Sequence, residues 1–319
     1  MSLQRIITIV SACFCFLSSD LYSQGHYNGG SYNANDFFIP PASGWVFSLY
    51  YSYADMNYHN HSGKRAENIM ISENPPLSLK AEQNVTTESI IPMLIYFGKN
   101  KIINARWGVL ALPSINNPTS GIALDFYSGQ TKLINRTVNF RSYGFGDFYL
   151  QPIWLTWENK RLSTTVSYGF WAPTGKYKAN DPENLGLGYW SHNIRGASRY
   201  KASSKINVMG ALTYEFNSGQ KGTDFKEASH LTLDTGVSYN FPAGHEIGIL
   251  GFGNIQLEDD KGTKASLEKD TTYGLGIYGS YWIIPGKLGT LARVTNNFFT
   301  QNRFGGISFQ IGVNYLFFK

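Results

Sequence analysis

Runs rich in β-branched and aromatic residues recur along this chain, and the links between them are long, then short, in turn from end to end. The run Leu162–Ala172 shows the pattern. Leu162, Thr164, Val166, Tyr168 and Phe170 fall on one face, and Ser163, Thr165, Ser167 and Gly169 on the other. A strand turns successive side chains to opposite sides, so this is a strand with one apolar face and one small, polar face. The short link Glu158-Asn159-Lys160 joins it to the run before, and Pro173-Thr174-Gly175 stops it with a turn signal. We take this hairpin as the repeating unit of the chain.

Reading in order, Trp45, Phe47, Leu49, Tyr51 and Tyr53 mark a first strand. A second spans 87–97, with Ile91, Met93, Ile95 and Phe97 on one face and Pro92 requiring a bulge or a lost ladder bond. A third spans 102–112. Residues 113–143 form a long link whose strand-like piece, 122–127, is placed in an ordered loop, with an extra strand as the alternative. The hairpin supplies strands four and five. Residues 186–200 and 206–216 form the next pair, followed by strands marked by Leu231 to Tyr239, Ile247 to Leu257 and Tyr273 to Tyr281. Residues 288–295 and 307–317 end the series, with a moderate link, 296–303, between them.

The pattern predicts an all-β chain: a single transmembrane antiparallel up-and-down β-barrel of about 12 strands (10–14), with short periplasmic turns and long extracellular loops. Such barrels have an even strand number, this loop asymmetry and both termini on the periplasmic side. A soluble sandwich would explain the alternation but not the two-sided rhythm of the links. Unpaired backbone groups are not tolerated in lipid, so the strands must pair all round. Alternation then places apolar residues toward lipid and small or polar ones toward the lumen. Trp45, Tyr53, Trp157, Trp190, Tyr239, Trp282 and Tyr315, near strand ends, are expected in the interfacial aromatic girdles.

Composition agrees. Charged residues make up 15% of the 319, against about 25% in a typical soluble protein, and aromatic residues another 15%. The net charge of +5 comes with no basic run, so no nucleic-acid partner is expected.

Residues 1–23 read as a signal peptide: Arg5, then a mostly apolar core from Ile6 to Leu17, then Ser18, Ser19 and Ser23. The apolar core is too short to span a bilayer. Val10-Ser11-Ala12-Cys13 resembles a lipoprotein cleavage box, but cleavage there would leave an apolar start at 14–17. Both cysteines, Cys13 and Cys15, lie in this leader, so the exported chain is expected to carry no disulfide. Residues 24–43 lack periodicity and form an irregular N-terminal segment, a candidate lumen plug; 44–319 form the barrel.

Chemistry-bearing motifs are weak. Gly274-Leu275-Gly276-Ile277-Tyr278-Gly279 has the spacing of a dinucleotide loop, but it lies within a strand with no helix after it. Gly175-Lys176 lacks the rest of a P-loop. His59 and His61 form an H-x-H pair without nearby cysteine, and no serine stands in a recognisable setting beside His192, His230 or His245. No catalytic residue, cofactor or metal is therefore assigned. Charges within strands say more: Glu215, Asp234 and Arg293 fall on or near lumen-facing positions. Facing lipid at the midplane, an arginine would cost about 2–4 kcal/mol; inside, such charges pair and line a polar path.

A set of motifs recurs in order: Gly146-Asp147 with Pro152 and Trp157, Pro173-Thr174-Gly175-Lys176-Tyr177 and Asn184-Leu185-Gly186-Leu187-Gly188-Tyr189-Trp190. Next come Thr213-Tyr214-Glu215-Phe216-Asn217, His230-Leu231-Thr232-Leu233-Asp234 and Gly251-Phe252-Gly253-Asn254-Ile255-Gln256 with Asp259-Asp260. Asn302-Arg303-Phe304-Gly305-Gly306 completes the set. From about His26 to Phe317 the chain resembles the outer-membrane transporters of the MetA-pathway of phenol degradation, also called SphA-like. That resemblance implies a barrel in the bacterial cell outer membrane, suspected of moving hydrophobic compounds, and no enzymatic activity. The last strand alternates from Phe309 to Phe317, as the barrel-insertion machinery requires, though Phe318 and Lys319 follow the expected terminal aromatic.

The functional expectation is a channel for passive uptake of small hydrophobic or aromatic compounds. Its lumen or lateral exit would be lined by Tyr, Phe and Gly and gated by residues 25–41. The alternatives are a closed structural barrel and a barrel-wall hydrolase using His192 or His230. The partners expected are outer-membrane lipid, a small-molecule solute and the insertion machinery.

Overall fold

The computed structural model describes residues 25–318 apart from 264, 266 and 267; the expected leader, 1–23, lies outside the described residues. Among the described residues, sixteen strands form one antiparallel sheet. In chain order they are β1 (Gly44–His59), β2 (Ala66–Glu73), β3 (Pro76–Phe97), β4 (Arg106–Leu112), β5 (Ile115–Ser128), β6 (Thr131–Arg141), β7 (Gly144–Phe145) and β8 (Phe148–Glu158). After them come β9 (Leu162–Ala172), β10 (Ser191–Lys201), β11 (Ile206–Asn217), β12 (His230–Asn240), β13 (Glu246–Gln256), β14 (Thr271–Ile284), β15 (Leu288–Gln301) and β16 (Arg303–Phe318). β1 pairs with β3 on one side and β16 on the other. The ring therefore closes, through β4 and then β8 to β16, as a twelve-stranded barrel. Among the described residues no helix is long and apolar enough to cross a membrane; the strands do so.

The four remaining strands extend the wall outward. β2 pairs with the start of β3, and β5 pairs with both β3 and β6, on the side of the long links. The piece 122–127 is thus part of a strand, within β5, but it stands above the barrel ring instead of adding a thirteenth stave. Buried Leu79, Ala81, Ile122, Leu124 and Phe126 hold this extension together.

Most strand boundaries follow the alternation, with four differences. The second strand is much longer than 87–97, because it continues into the extension. The third strand begins at Arg106, not at 102, because 102–105 form the tight turn before it, with positive φ at Ile103 and Asn104. The sixth begins at Ser191, since 186–190 form a glycine-rich link. The link expected at 296–303 shrinks to Asn302 alone, whose φ of 51° makes the tight reversal. Asn tolerates this left-handed region better than most residues.

The faces sort as lipid and bore require. On β9, Leu162 and Val166 are exposed outward, while Ser163, Thr165, Ser167 and Gly169 are buried inward. Two aromatic belts mark the interfaces. Tyr168, Phe170, Trp190, His192, Tyr214 and Phe216 make successive ring contacts near the long links. Trp45, Tyr96 and Trp107 do so near the short ones. Trp282 departs from its expected girdle position. It lines the bore, because the β14 alternation that turns Tyr278 inward carries through to residue 282.

The largest correction concerns β3. Ile90 and Leu94 are the outward residues, 48% and 44% exposed, and Ile91, Met93, Ile95 and Phe97 face inward. An apolar stripe assigned to lipid therefore lines the lumen.

Candidate functional site

Residues 25–41 run down the inside of the barrel from the end bearing the long links to the end bearing the short turns. Their fastening is dense and specific. Both oxygens of Glu215 (β11) accept backbone N–H groups, from His26 at 2.9 Å and Tyr27 at 2.8 Å. Asp234 (β12) accepts the Tyr27 hydroxyl and the Gly30 N–H, both at 2.7 Å. Arg293 (β15) donates to Asn33 Oδ1 at 3.1 Å. The three candidate charges are thus 2%, 3% and 6% exposed, and all hold the same inner segment.

The segment needs glycine where it turns against the wall. Gly30 has φ of +76°, and a Cβ there would lie 2.6 Å from the Phe252 ring. Lower down, Ala34, Phe37 and Phe38 pack against Ala197, Met209, Leu250 and Leu291. Trp154 donates its indole N–H to the Phe37 carbonyl at 3.1 Å, and Arg106 donates to the Ile39 carbonyl at 3.0 Å. Asp36 faces the bore, where its carboxylate accepts the Asn33 N–H at 2.8 Å.

Two further anchors have the same character. Arg195 (β10) is 3% exposed, donates to Thr213 Oγ1 at 3.0 Å and stacks over Tyr27, Tyr32 and Phe37 at 4.8, 4.6 and 5.3 Å. It is an inward charge in the middle of a strand, the signal that singled out Arg293. Asp147 draws distant segments together: it accepts the N–H of Gly175 at 2.9 Å and of Leu187 at 2.8 Å, and meets His26 Nε2 at 2.8 Å. A Cβ on Gly186 would lie 2.4 Å from its carboxylate, so glycine permits this approach. The motifs around 146–147, 173–177 and 184–190 thus converge on one carboxylate.

A Ser–His–carboxylate trio does occur here, since His26 Nδ1 lies 2.6 Å from Ser191 Oγ. Ser191 is fully buried and donates its own proton to Asn217 Oδ1 at 2.6 Å, so the trio fastens the segment and offers no nucleophile. The histidines weighed from the sequence are scattered. His192 stacks on Phe216 in the outer belt, His245 stacks on Tyr281 near a short turn, and His230 bonds Asp270 at 2.9 Å. His59 ends β1 and His61 is exposed beside Glu268, so they do not converge on a metal site.

Between the inner segment and the opposite wall lies a cavity of about 860 Å3. Its wall side is built by β1, β3, β4, β8 and β16, and is apolar over a continuous patch: Ile91, Met93, Ile95, Leu110, Leu112 and Leu316. It reaches from Gly286, in a short turn, to Asn116 and Asp147 in the outer half.

The wall beside this patch has a weak seam. β3 pairs with β4 from Leu94↔Ala111 to Phe97↔Gly108 and with β5 from Ile90↔Ile115 upward, in one continuous register. The same register sets Pro92 opposite Pro113. Neither has an N–H, so neither can donate a ladder hydrogen bond between those two stretches.

The model of the family described as MetA-pathway of phenol degradation matches residues 66–312. The chain belongs to this family. No curated protein matches it. Among solved structures, it is similar to the COG4313 outer membrane channel from Pseudomonas putida F1, at 13% identity and a TM-score of 0.65 over 90% of this chain and 100% of that one. Weaker likenesses are to the transport unit of the autotransporter AIDA-I from Escherichia coli (11% identity, TM-score 0.48, 95% and 97% covered) and to the CymD monoaromatic hydrocarbon channel (11%, 0.45, 86% and 89%). The MetA-pathway family chain is a bacterial outer-membrane β-barrel, with its apolar outward face against lipid. Its short turns and its strand termini Gly44 and Phe318 then lie on the periplasmic side.

Proposed function

We propose that the protein is a channel for passive uptake of small hydrophobic, aromatic-sized compounds. The apolar wall of the cavity carries this reading. The interior of a general porin is polar and water-filled; here one side of the bore presents Ile91, Met93, Ile95 and Leu112 to whatever enters. The volume of about 860 Å3 falls in the range of small-molecule sites, roughly 300–1,000 Å3. Aromatic residues at its ends, Trp171 above and Phe97 below, extend the same chemistry.

In this mechanism the inner segment shields the polar side of the bore, anchored on Glu215, Asp234, Arg195 and Arg293. The solute moves along the apolar side and leaves through the Pro92–Pro113 seam into the bilayer, never crossing the charged anchors. Passage is driven by the concentration gradient and by transfer of apolar surface out of water.

Uptake into liposomes across a panel of aromatic, aliphatic and hydrophilic solutes tests the proposal. Toluene-sized aromatics should enter markedly faster than over protein-free liposomes, and sugars of similar mass should not. Equal acceleration of sugars and aromatics would make this a general porin; no acceleration of either would favour a closed structural barrel.

A further inference from the structure

Beneath the outer rim, away from the cavity, three side chains from two outer links and one strand meet. Glu227 closes the link 218–229, His230 opens β12, and Asp270 ends the link 257–270. All three are essentially without solvent exposure, at 0%, 1% and 0%. One donor atom from each lies within 4.8 Å of the others. His230 Nε2 is 2.9 Å from Asp270 Oδ2 and 3.9 Å from Glu227 Oε1.

Three buried polar atoms of the cluster lack a hydrogen-bond partner: both carboxylate oxygens of Glu227 and His230 Nδ1. A fully buried carboxylate without a partner is among the costlier arrangements a fold can hold. Asp260, Asp270 and Glu215 surround it with like charge, which Arg303 offsets only in part. Arg303 is itself engaged, donating to Asp270 Oδ1 at 2.9 Å.

We propose that Glu227, His230 and Asp270 bind a divalent transition-metal cation of the zinc type. The donor set is one imidazole nitrogen and two carboxylates, which suits zinc; calcium and magnesium take oxygen ligands. Tetrahedral zinc with bonds of about 2.0–2.1 Å places its donors about 3.3 Å apart, between the two spacings seen from His230 Nε2. On binding, that nitrogen turns its lone pair to the metal, and the imidazole proton resides on Nδ1. The fourth position is left for water.

The role assigned is structural. The cation joins both outer links to the first residue of β12, directly above the start of the inner segment: a Cβ on Gly25 would lie 3.4 Å from His230 Nδ1. It would hold the outer mouth shut around that segment and take no part in moving solute.

Tag-free protein from outer membranes is stripped with chelator and re-equilibrated with zinc. Metal content is then measured by mass spectrometry, alongside thermal unfolding at increasing zinc. The expected result is one equivalent of zinc retained and a Tm that rises until that equivalent is bound. Glu227→Gln should weaken zinc binding by more than about tenfold while leaving the metal-free Tm about equal to wild type, because the amide keeps the shape of the side chain. Asp259→Asn, at an exposed neighbour, should bind zinc normally. The wild-type measurement stands even if a variant does not fold. No retained zinc and a Tm indifferent to zinc would overturn the proposal; so would calcium, and not zinc, raising the Tm.

Discussion

Deleting residues 25–41 raises the single-channel conductance of the reconstituted protein several-fold. The segment occupies one side of a bore that twelve strands enclose, and its removal opens that volume to water and ions. The freed wall would be strongly polar, since Glu215, Asp234, Arg195 and Arg293 all lose partners there. The barrel itself should still assemble, because its ladder closes between β1 and β16 without the segment. A milder route tests the same anchors. In Glu215→Ala, the N–H groups of His26 and Tyr27 lose their acceptor, at about 1–3 kcal/mol for each group left buried and unpaired. Adding Asp234→Ala removes the next pair of bonds. The double variant should flicker between blocked and open levels where wild type does not. Unchanged conductance after full deletion would show that the segment does not limit flow.

A disulfide across the seam should have the second large effect. Pro92→Cys with Pro113→Cys places two thiols opposite each other in an antiparallel ladder, where Cα atoms lie about 4.5–5.5 Å apart, within reach of a disulfide. The native cysteines, Cys13 and Cys15, sit in the expected leader and would not compete. Both substitutions also give back a backbone N–H, so the reduced variant already narrows the seam, and oxidation locks it shut. A solute in the cavity must then exit into water. Re-exposing roughly 100 Å2 of apolar surface at roughly 25 cal/mol per Å2 costs about 2.5 kcal/mol, so aromatic uptake should fall by more than tenfold. Reductant should restore it in part, to the level of a Pro92→Ala, Pro113→Ala control, while ion conductance stays the same throughout. Full aromatic uptake in the oxidised protein would place the exit elsewhere.

The barrel was legible because a strand with lipid on one side and water on the other must alternate, and β9 does so from Leu162 to Phe170 and β16 from Phe309 to Tyr315. The same rule misled at β3. Its residues Ile90 to Phe97 are apolar on both faces, so a period of two finds the strand but cannot say which side faces out. The signal that could have helped was Pro92, which marks a wall position with no ladder donor. Glu215, Asp234 and Arg293 stood out because charge within an alternating strand is expensive in lipid; Arg195 was open to the same reasoning. What they hold was not legible. The segment 25–41 has no periodicity, and its partners lie up to 275 residues away in sequence. The pattern around Asp147 was visible as a motif, but its reason, one carboxylate gathering Gly175, Leu187 and His26, exists only in three dimensions.

The most direct measurement is photolabelling of the membrane-embedded protein with a small aromatic diazirine, with labelled residues mapped by mass spectrometry. Lipid-facing side chains will react regardless, so the informative adducts are those that an excess of unlabelled aromatic suppresses. Passage along the apolar side of the bore predicts suppressible labelling of inward-facing Ile91, Met93, Ile95 and Leu112. Suppressible adducts confined to the inner segment and to the polar walls of β10 to β13, with none on those four residues, would contradict it.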